Sequence, residues 1–448
     1  VSPIDAGVQA RALELLQGLL RIDTTNPPGS ERAAAEYLAE SLREDGIEPV
    51  LVGPEKERTS LVARLKGSGR AAPLLVTAHL DVVPAEPPRW KHAPFAAEID
   101  SGWLYGRGAI DMKNMAAMAA MTMKLLARER VPLERDVIFA AVADEEAGCD
   151  HGSRYLVDHH ADLVRAEFAL GEIGGFTLDV NGKRLYPIQI AQKGVAWVRA
   201  RVEGTPGHGS IPREDNPVVR LSAALARLTP DALPLHPTPP VRRAVRAMAA
   251  VQPALARILF PLILNPVFSR RMLRALPDQG VARALNALLR NTATPTVIAA
   301  GQKTNVIPSR AVAEIDGRTL PGQSTEDFVR ELSAVLGEGV TLEVLRTFPA
   351  VEVSPDTPMY RHLEGALRQM DPQGIPVPYV IPGFTDATAF SRLGTTYYGF
   401  SPVVLPPSPK VSFAELYHGD NERIPVEGFQ RGLAALYGAV RGWCAAAP

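Results

Sequence analysis

Leu74-Leu75-Val76-Thr77-Ala78-His79-Leu80-Asp81 is the stretch that decides how this chain folds. A nearly unbroken apolar run reads as a buried strand, and this one ends on an imidazole and a carboxylate. Working outward, Asp136 to Ala143 repeats the pattern and leads into Glu145 and Glu146, while Ala166 to Leu170 leads into Gly171-Glu172. Between the first two runs lies Gly106-Arg107-Gly108-Ala109-Ile110-Asp111. It is followed at once by Met112 to Arg128, a stretch of Ala, Met and Leu at helical spacing. Strand, helix and strand in alternation predict a sheet covered by helices. In open α/β sheets the strand carboxyl ends line the ligand crevice, so these runs deliver their acids and imidazole to one place. A metal site is the expectation.

At 448 residues the chain is too long for one ordinary core, which predicts two domains. Hydrophobic residues make up 46% and charged residues 22%, ordinary for a globular protein. The net charge of −1 gives no reason to expect nucleic acid or an anionic membrane as partner. Cys149 and Cys444, the two cysteines, stand far apart, which excludes a disulfide scaffold and a thiolate zinc site and fits a reducing cytoplasm. Val1 to Gly7 shows no basic-then-apolar signal pattern; the chain starts at Val1 and not at Met, which leaves a removed upstream segment open beside the expected cytoplasmic setting.

Gln9 to Ile22 and Glu31 to Asp45 place apolar residues at helical spacing around the turn Asn26-Pro27-Pro28-Gly29. Met112, Met115, Met118, Met121 and Met123 read as core packing. The character changes near Lys193. Val195 to Val202 alternates like a strand, Gly204 to Ser210 is a loop, and Thr229 to Thr292 is a Pro-punctuated helical stretch rich in Ala, Leu and Arg. Strand-like runs follow at 296–298, 311–315 and 340–345, with a helix at 328–336, and a helix at 359–370 begins a return to the first domain. The expected organisation is a catalytic domain from residues 1–193 and 354–448, with a central mixed sheet flanked by helices. A smaller α+β lid at 194–353, with a helical insertion at about 229–292, interrupts it.

Imidazole and carboxylates without thiolates suit Zn²⁺ or another first-row divalent ion. Two adjacent metals need a bridging carboxylate, further ligands on each side and a non-ligating carboxylate to move the proton of an activated water. Glu145 and Glu146 divide that work if the turn aims one at the metal and the other at the water. Asp81 is placed to receive the second N–H of His79 and fix its tautomer. Each residue alone has a plainer reading: His79 a structural histidine, Asp111 the N-cap of the helix after it, the two glutamates a solvated turn. Capping and bridging are compatible at Asp111.

Together, His79 to Pro84, Trp90 to Phe95, Gly106 to Lys113 and Asp144-Glu145-Glu146 resemble the dinuclear zinc aminoacylase/carboxypeptidase family. Its members include glutamate carboxypeptidase, succinyl-diaminopimelate desuccinylase, aminoacylase and carnosinase. The resemblance continues through Thr205 to Ser210, Thr304 to Pro308, Asp316-Gly317-Arg318, Gly383 to Ala387 and His418 to Pro425, nearly the whole chain in the family's order. It implies a zinc-peptidase-like fold and two divalent ions, with zinc expected and cobalt or manganese also fitting. Asp111 would bridge them, followed by a cis peptide to Met112. His79 and Glu172 would hold one metal, Glu146 and His418 the other. Glu145 would be the base and acid, with Asp81 behind His79. His208 would stabilise the oxyanion, Arg318 would clamp the substrate's free carboxylate, and Asn305 with the loop holding Gly383 and Thr385 would contact substrate backbone. Around Glu172 the run Gly171 to Gly175 carries an extra Ile173 relative to the family's tighter form.

The implied reaction is hydrolysis of the amide bond of N-acyl amino acids with a free α-carboxylate, or alternatively of dipeptides and short peptides at the C-terminal residue. A non-catalytic binding protein on the same fold would show a broken base or ligand, and every one is present. The apolar run Ile258 to Phe268 is too short and interrupted to span a bilayer. It reads as core or dimer packing, with an acyl-binding wall or a membrane-surface contact as the sharper alternatives, and a homodimer through the lid is open.

Overall fold

The computed structural model of the protein describes residues 4–276, 279–407 and 413–446. The chain divides into two compact units. Residues up to Ile190, Val353–Pro378 and those from Thr385 onward form one, and Ala191–Glu352 with Tyr379–Phe384 form the other.

The first unit is built on a mixed sheet flanked by helices. Leu74–His79 lies inside it, parallel to Val137–Val142 on one side and to Phe168–Gly171 on the other. Ser60–Leu65 and Val50–Val52 extend one flank antiparallel, and Thr396–Gly399 adds a parallel strand at the other. All six residues of Leu74–His79 and of Val137–Val142 are buried, which is why neither run alternates. The helix Lys113–Arg128 packs against the Leu74–His79 strand and against the helices Ala6–Arg21 and Val426–Cys444. Covered on several sides, it buries fourteen of its sixteen residues, and all five methionines from Met112 to Met123 join the core. Even its first lysine is buried. Lys113 Nζ donates to the carbonyls of Leu19 and Ile22 at 3.1 and 2.7 Å, closing the carboxyl end of Ala6–Arg21. Cys149 and Cys444 are free thiols in the interior.

The second unit carries a four-stranded antiparallel sheet in the order Thr292–Ala300, Arg310–Thr319, Gly194–Glu203, Thr341–Phe348. Pro217–Leu225 and Thr325–Leu336 pack on it, burying Leu221, Phe328 and Leu332 against Val198, Ala313 and Ile315. Ser324 and Asp327 form a reciprocal capping box at the start of the second helix. The helical stretch between Leu225 and Thr292 has its own apolar cluster, with Val241, Val245, Phe260, Ile263, Leu273 and Leu285 inside. Among the described residues no helix is long and apolar enough to cross a membrane.

Candidate metal centre

Three neighbouring parallel strands deliver the candidate ligands His79, Glu146 and Glu172. His79 is the last residue of its strand, Glu172 directly follows Phe168–Gly171, and Glu145 and Glu146 follow Val137–Val142 after two residues. Asp111 precedes the helix Lys113–Arg128 but does not cap it. Met112 holds the N-cap position with no side-chain cap bond, because the Asp111 carboxylate is turned toward two imidazoles. The capping reading of Asp111 is thereby overturned. The Asp111–Met112 peptide is cis, as the resemblance implied.

Asp111 Oδ1 lies 3.0 Å from His79 Nε2, and its Oδ2 lies 2.8 Å from His418 Nε2. Glu172 stands on the His79 side, 3.9 Å from Nε2, and Glu146 on the His418 side, 3.2 Å from Nε2. Ligand-type atoms of His79, Glu145 and Glu172, and those of His79, Asp111 and Glu146, lie within 4.8 Å of one another. One carboxylate between two imidazoles, each flanked by a further acid, is the arrangement a pair of cations requires.

The residues fit such a group on two counts. Both carboxylate oxygens of Glu172 are buried and accept no hydrogen bond, a placement that is unfavourable unless a cation partners them. With Nδ1 donating to the Asp81 carbonyl at 2.9 Å, His79 turns Nε2 toward Asp111 and Glu172, the atom it would offer a cation on losing its proton. The carboxylate of Asp81 itself is 3.5 Å from Nδ1. The N–H expected at the Asp81 carboxylate thus goes to the backbone carbonyl of the same residue, and the carboxylate takes other partners. Its oxygens are engaged elsewhere, accepting the backbone N–H groups of Glu145 and Glu146, each at 3.0 Å, and Asn26 Nδ2 at 2.8 Å.

The electrostatics show how crowded the acids are. Burial and the nearby Glu172 push Glu145 well above the usual carboxylate range, and burial with the charge of Asp111 raises Glu146 to about 7. Glu172 is raised by burial, against the pull of His79. Burial opposes charge on Asp111 too, but hydrogen bonds from His418 and His79 hold it well below the range. Burial also opposes charge on His418, and its bonds to Asp111 and Glu146 outweigh that and raise it to about 10.

Several supports lay outside the sequence reading. Asp144, at φ 66°, carries the turn into Glu145, and its carboxylate accepts Arg58 Nη2 at 2.6 Å and both the N–H and Nδ1 of His151 at 3.0 Å. Arg58 also forks onto Glu31 at 2.9 and 3.0 Å, and both side chains are buried. Glu422 accepts the backbone N–H groups of Gly108, Ile110 and Asp111 and the guanidinium of Arg107. Ile173, the extra residue, takes a left-handed turn at φ 61° that leaves Glu172 in the cluster. For a β-branched residue that conformation costs about 1–2 kcal/mol. Among the other histidines, His92 bonds to Glu98, His236 to Glu331 and His362 to the Ala439 carbonyl.

The other predicted residues belong to the second unit, except Thr385. His208 pairs with Val306 across a short antiparallel bridge, and the N–H of Gly209 donates to the Asn305 carbonyl at 2.8 Å, so His208 and Asn305 are neighbours. Nδ1 of His208 accepts the backbone N–H of Ser210 at 3.2 Å. An amide can only donate, so the neutral ring carries its proton on Nε2. Arg318 forks onto Asp316 at 2.8 and 3.1 Å and lies over the ring of Phe384, beside Gly383 in sequence. Thr385 is buried, and its hydroxyl accepts the N–H of Ala387.

A sequence profile of peptidase family M20/M25/M40 matches residues 75–442. The chain is 30% identical over 446 residues to human N-fatty-acyl-amino acid synthase/hydrolase PM20D1, covering 95% of this chain and 86% of that protein. It is 26% identical over 433 residues to mouse aminoacylase-1, covering 94% and 92%. The fold matches an M20 family metallo-carboxypeptidase from Sulfolobus solfataricus with a TM-score of 0.70 at 19% identity, over 98% of this chain and 99% of that one.

Proposed function

The chain belongs to the M20/M25/M40 peptidase family, a family of hydrolases, and on that premise we propose that it cleaves the amide bond of N-acyl amino acids carrying a free α-carboxylate. The observation that carries the reading is Asp111 set between His79 and His418, with Glu172 and Glu146 outside them. Asp111, His79 and Glu172 would hold one divalent cation and Asp111, His418 and Glu146 a second, with zinc expected and cobalt or manganese compatible. When bound, such cations supply Lewis-acid charge that polarises the scissile carbonyl and brings the acidity of water into the neutral range.

The chain's own groups do the rest. Glu145 takes the proton of the attacking water and hands it to the departing amine, a role open to a buried carboxylate beside the cluster. His208, with its proton on Nε2, donates to the oxyanion, a contact worth about 3–4 kcal/mol of barrier. Arg318 binds the substrate carboxylate, shifting its fork from Asp316, and Asn305 with Gly383 and Thr385 lines the substrate backbone. The edge strand Thr292–Ala300 exposes Val297 and Ile298 and supports self-association through the second unit. Two buried free thiols support a reducing, cytoplasmic setting.

The test is kcat/KM on zinc-loaded protein for N-acetyl-, N-octanoyl- and N-lauroyl-phenylalanine beside Gly-Phe and Ala-Phe. A steep rise with acyl length is the expected result. Faster dipeptide cleavage with no length trend would make it a dipeptidase or carboxypeptidase instead.

A further inference from the structure

Amide hydrolysis makes no use of one feature of the second unit. Between Asp231 and Asp278 the chain has no acidic residue, yet seven arginines fall there, from Arg242 to Arg274, in a protein whose net charge is −1. All seven are exposed. Large apolar side chains stand out in the same span. Leu255, Ile258, Val267 and Phe268 are 71, 74, 79 and 44% exposed.

The local fold explains why they point outward. In the helix Ala254–Leu259, Leu255, Ile258 and Leu259 share one face at i, i+3 and i+4, and all three are exposed. Phe260 and Ile263, in the tight turn that follows, are the residues that enter the apolar cluster beneath. The run 258–268 thus splits: a buried middle anchors the segment, and apolar side chains on either side of it stay in water. Arg257 lies in the exposed helix, and Arg271 and Arg274 in the helix Ser269–Arg274 just after Phe268. Exposed apolar groups of this size mark a contact surface.

We propose that this insertion docks the protein on the surface of an anionic phospholipid bilayer. Leu255, Ile258, Val267 and Phe268 enter the boundary between headgroups and acyl chains, and Arg257, Arg271 and Arg274 pair with lipid phosphates. Charge selects this occupant. A second copy of the chain would set arginines against arginines, which disfavours self-pairing through this face. Helices of six residues lie on a bilayer and do not enter its core. The inference stands on surface composition and does not rest on the substrate reading.

The test is flotation of the full chain with vesicles of phosphatidylcholine, alone or with about 30 mol% phosphatidylglycerol. Recovery on the anionic vesicles is expected to exceed that on neutral ones at least about tenfold, and to fall about as much between roughly 50 and 500 mM salt. Arg257→Gln, Arg271→Gln and Arg274→Gln together, or Ile258→Ser with Val267→Ser, are expected to remove most of it while the melting temperature stays unchanged. Equal recovery on both vesicle types, recovery on neither, or binding untouched by both variants overturns the proposal. So does a dimer, seen by light scattering, that the Ile258→Ser, Val267→Ser variant dissociates.

Discussion

Glu422 accepts the backbone N–H of Asp111 at 3.0 Å, so a carboxylate 311 residues further along the chain fixes the residue that faces both imidazoles. The same side chain accepts the N–H groups of Gly108 and Ile110 at 3.0 and 2.7 Å and pairs with Arg107 at 2.8 Å. Glu422→Ala would leave a buried guanidinium and three amides without their acceptor. Urea unfolding is expected to show a loss of about 3–5 kcal/mol, and elemental analysis fewer than two bound metals per chain. Wild-type stability with full metal content would contradict this role.

Arg58 performs the corresponding task on the other side of the site. Its guanidinium sits between Glu31 and Asp144 with little exposure, and Asp144 carries the turn into Glu145. Arg58→Met would strand two buried carboxylates, so a loss of roughly 3–5 kcal/mol is expected together with a lower kcat. Arg58→Lys keeps the charge but not the fork and should fall between. If both variants unfold like wild type, the network is dispensable.

Glu145→Gln separates catalysis from assembly. The side chain keeps its size, and His79, Asp111, Glu146, Glu172 and His418 are untouched. Metal content and melting temperature should hold while kcat drops by about 10²–10⁴. Turnover at the wild-type rate would assign the base elsewhere. Exhaustive chelation of the wild-type protein should abolish activity, and added zinc should restore it.

Burial raises the thiol of Cys444 from 9.0 to about 12. Between those values the unfolded chain has lost a proton that the folded chain keeps. Its contribution to stability is therefore full below about pH 9 and declines as pH rises toward 12, by about 1.4 kcal/mol per pH unit. Urea titrations at about pH 8.5 and 10.5 should show this decline in wild type and a flatter one in Cys444→Ala. Equal slopes would contradict it.

The strands that end at His79, Glu145 and Glu172 were legible because a strand covered on both faces must be apolar throughout, and each chemical group follows such a run. The supports were not. Arg58 follows Glu55-Lys56-Glu57, a stretch that reads as solvated charge, and its partners Glu31 and Asp144 lie 27 and 86 residues away. Glu422 stood inside a quoted motif, but nothing local says that its partners are backbone amides near Asp111. The two readings of Asp111 could be separated only by the direction of its side chain. A whole-chain charge near zero also says nothing about distribution: between Asp231 and Asp278 lie seven arginines and no acid.

His418 and Glu422 come from the same short stretch late in the chain, and both meet Asp111. During synthesis the strands bearing His79, Glu145 and Glu172 leave the ribosome well before it. The nascent chain thus has the means to pair these three strands long before His418 can reach Asp111. A chain that stops before residue 418 would lack both the His418 imidazole and the Glu422 carboxylate that meet Asp111, and is expected to bind fewer metal ions than the full chain.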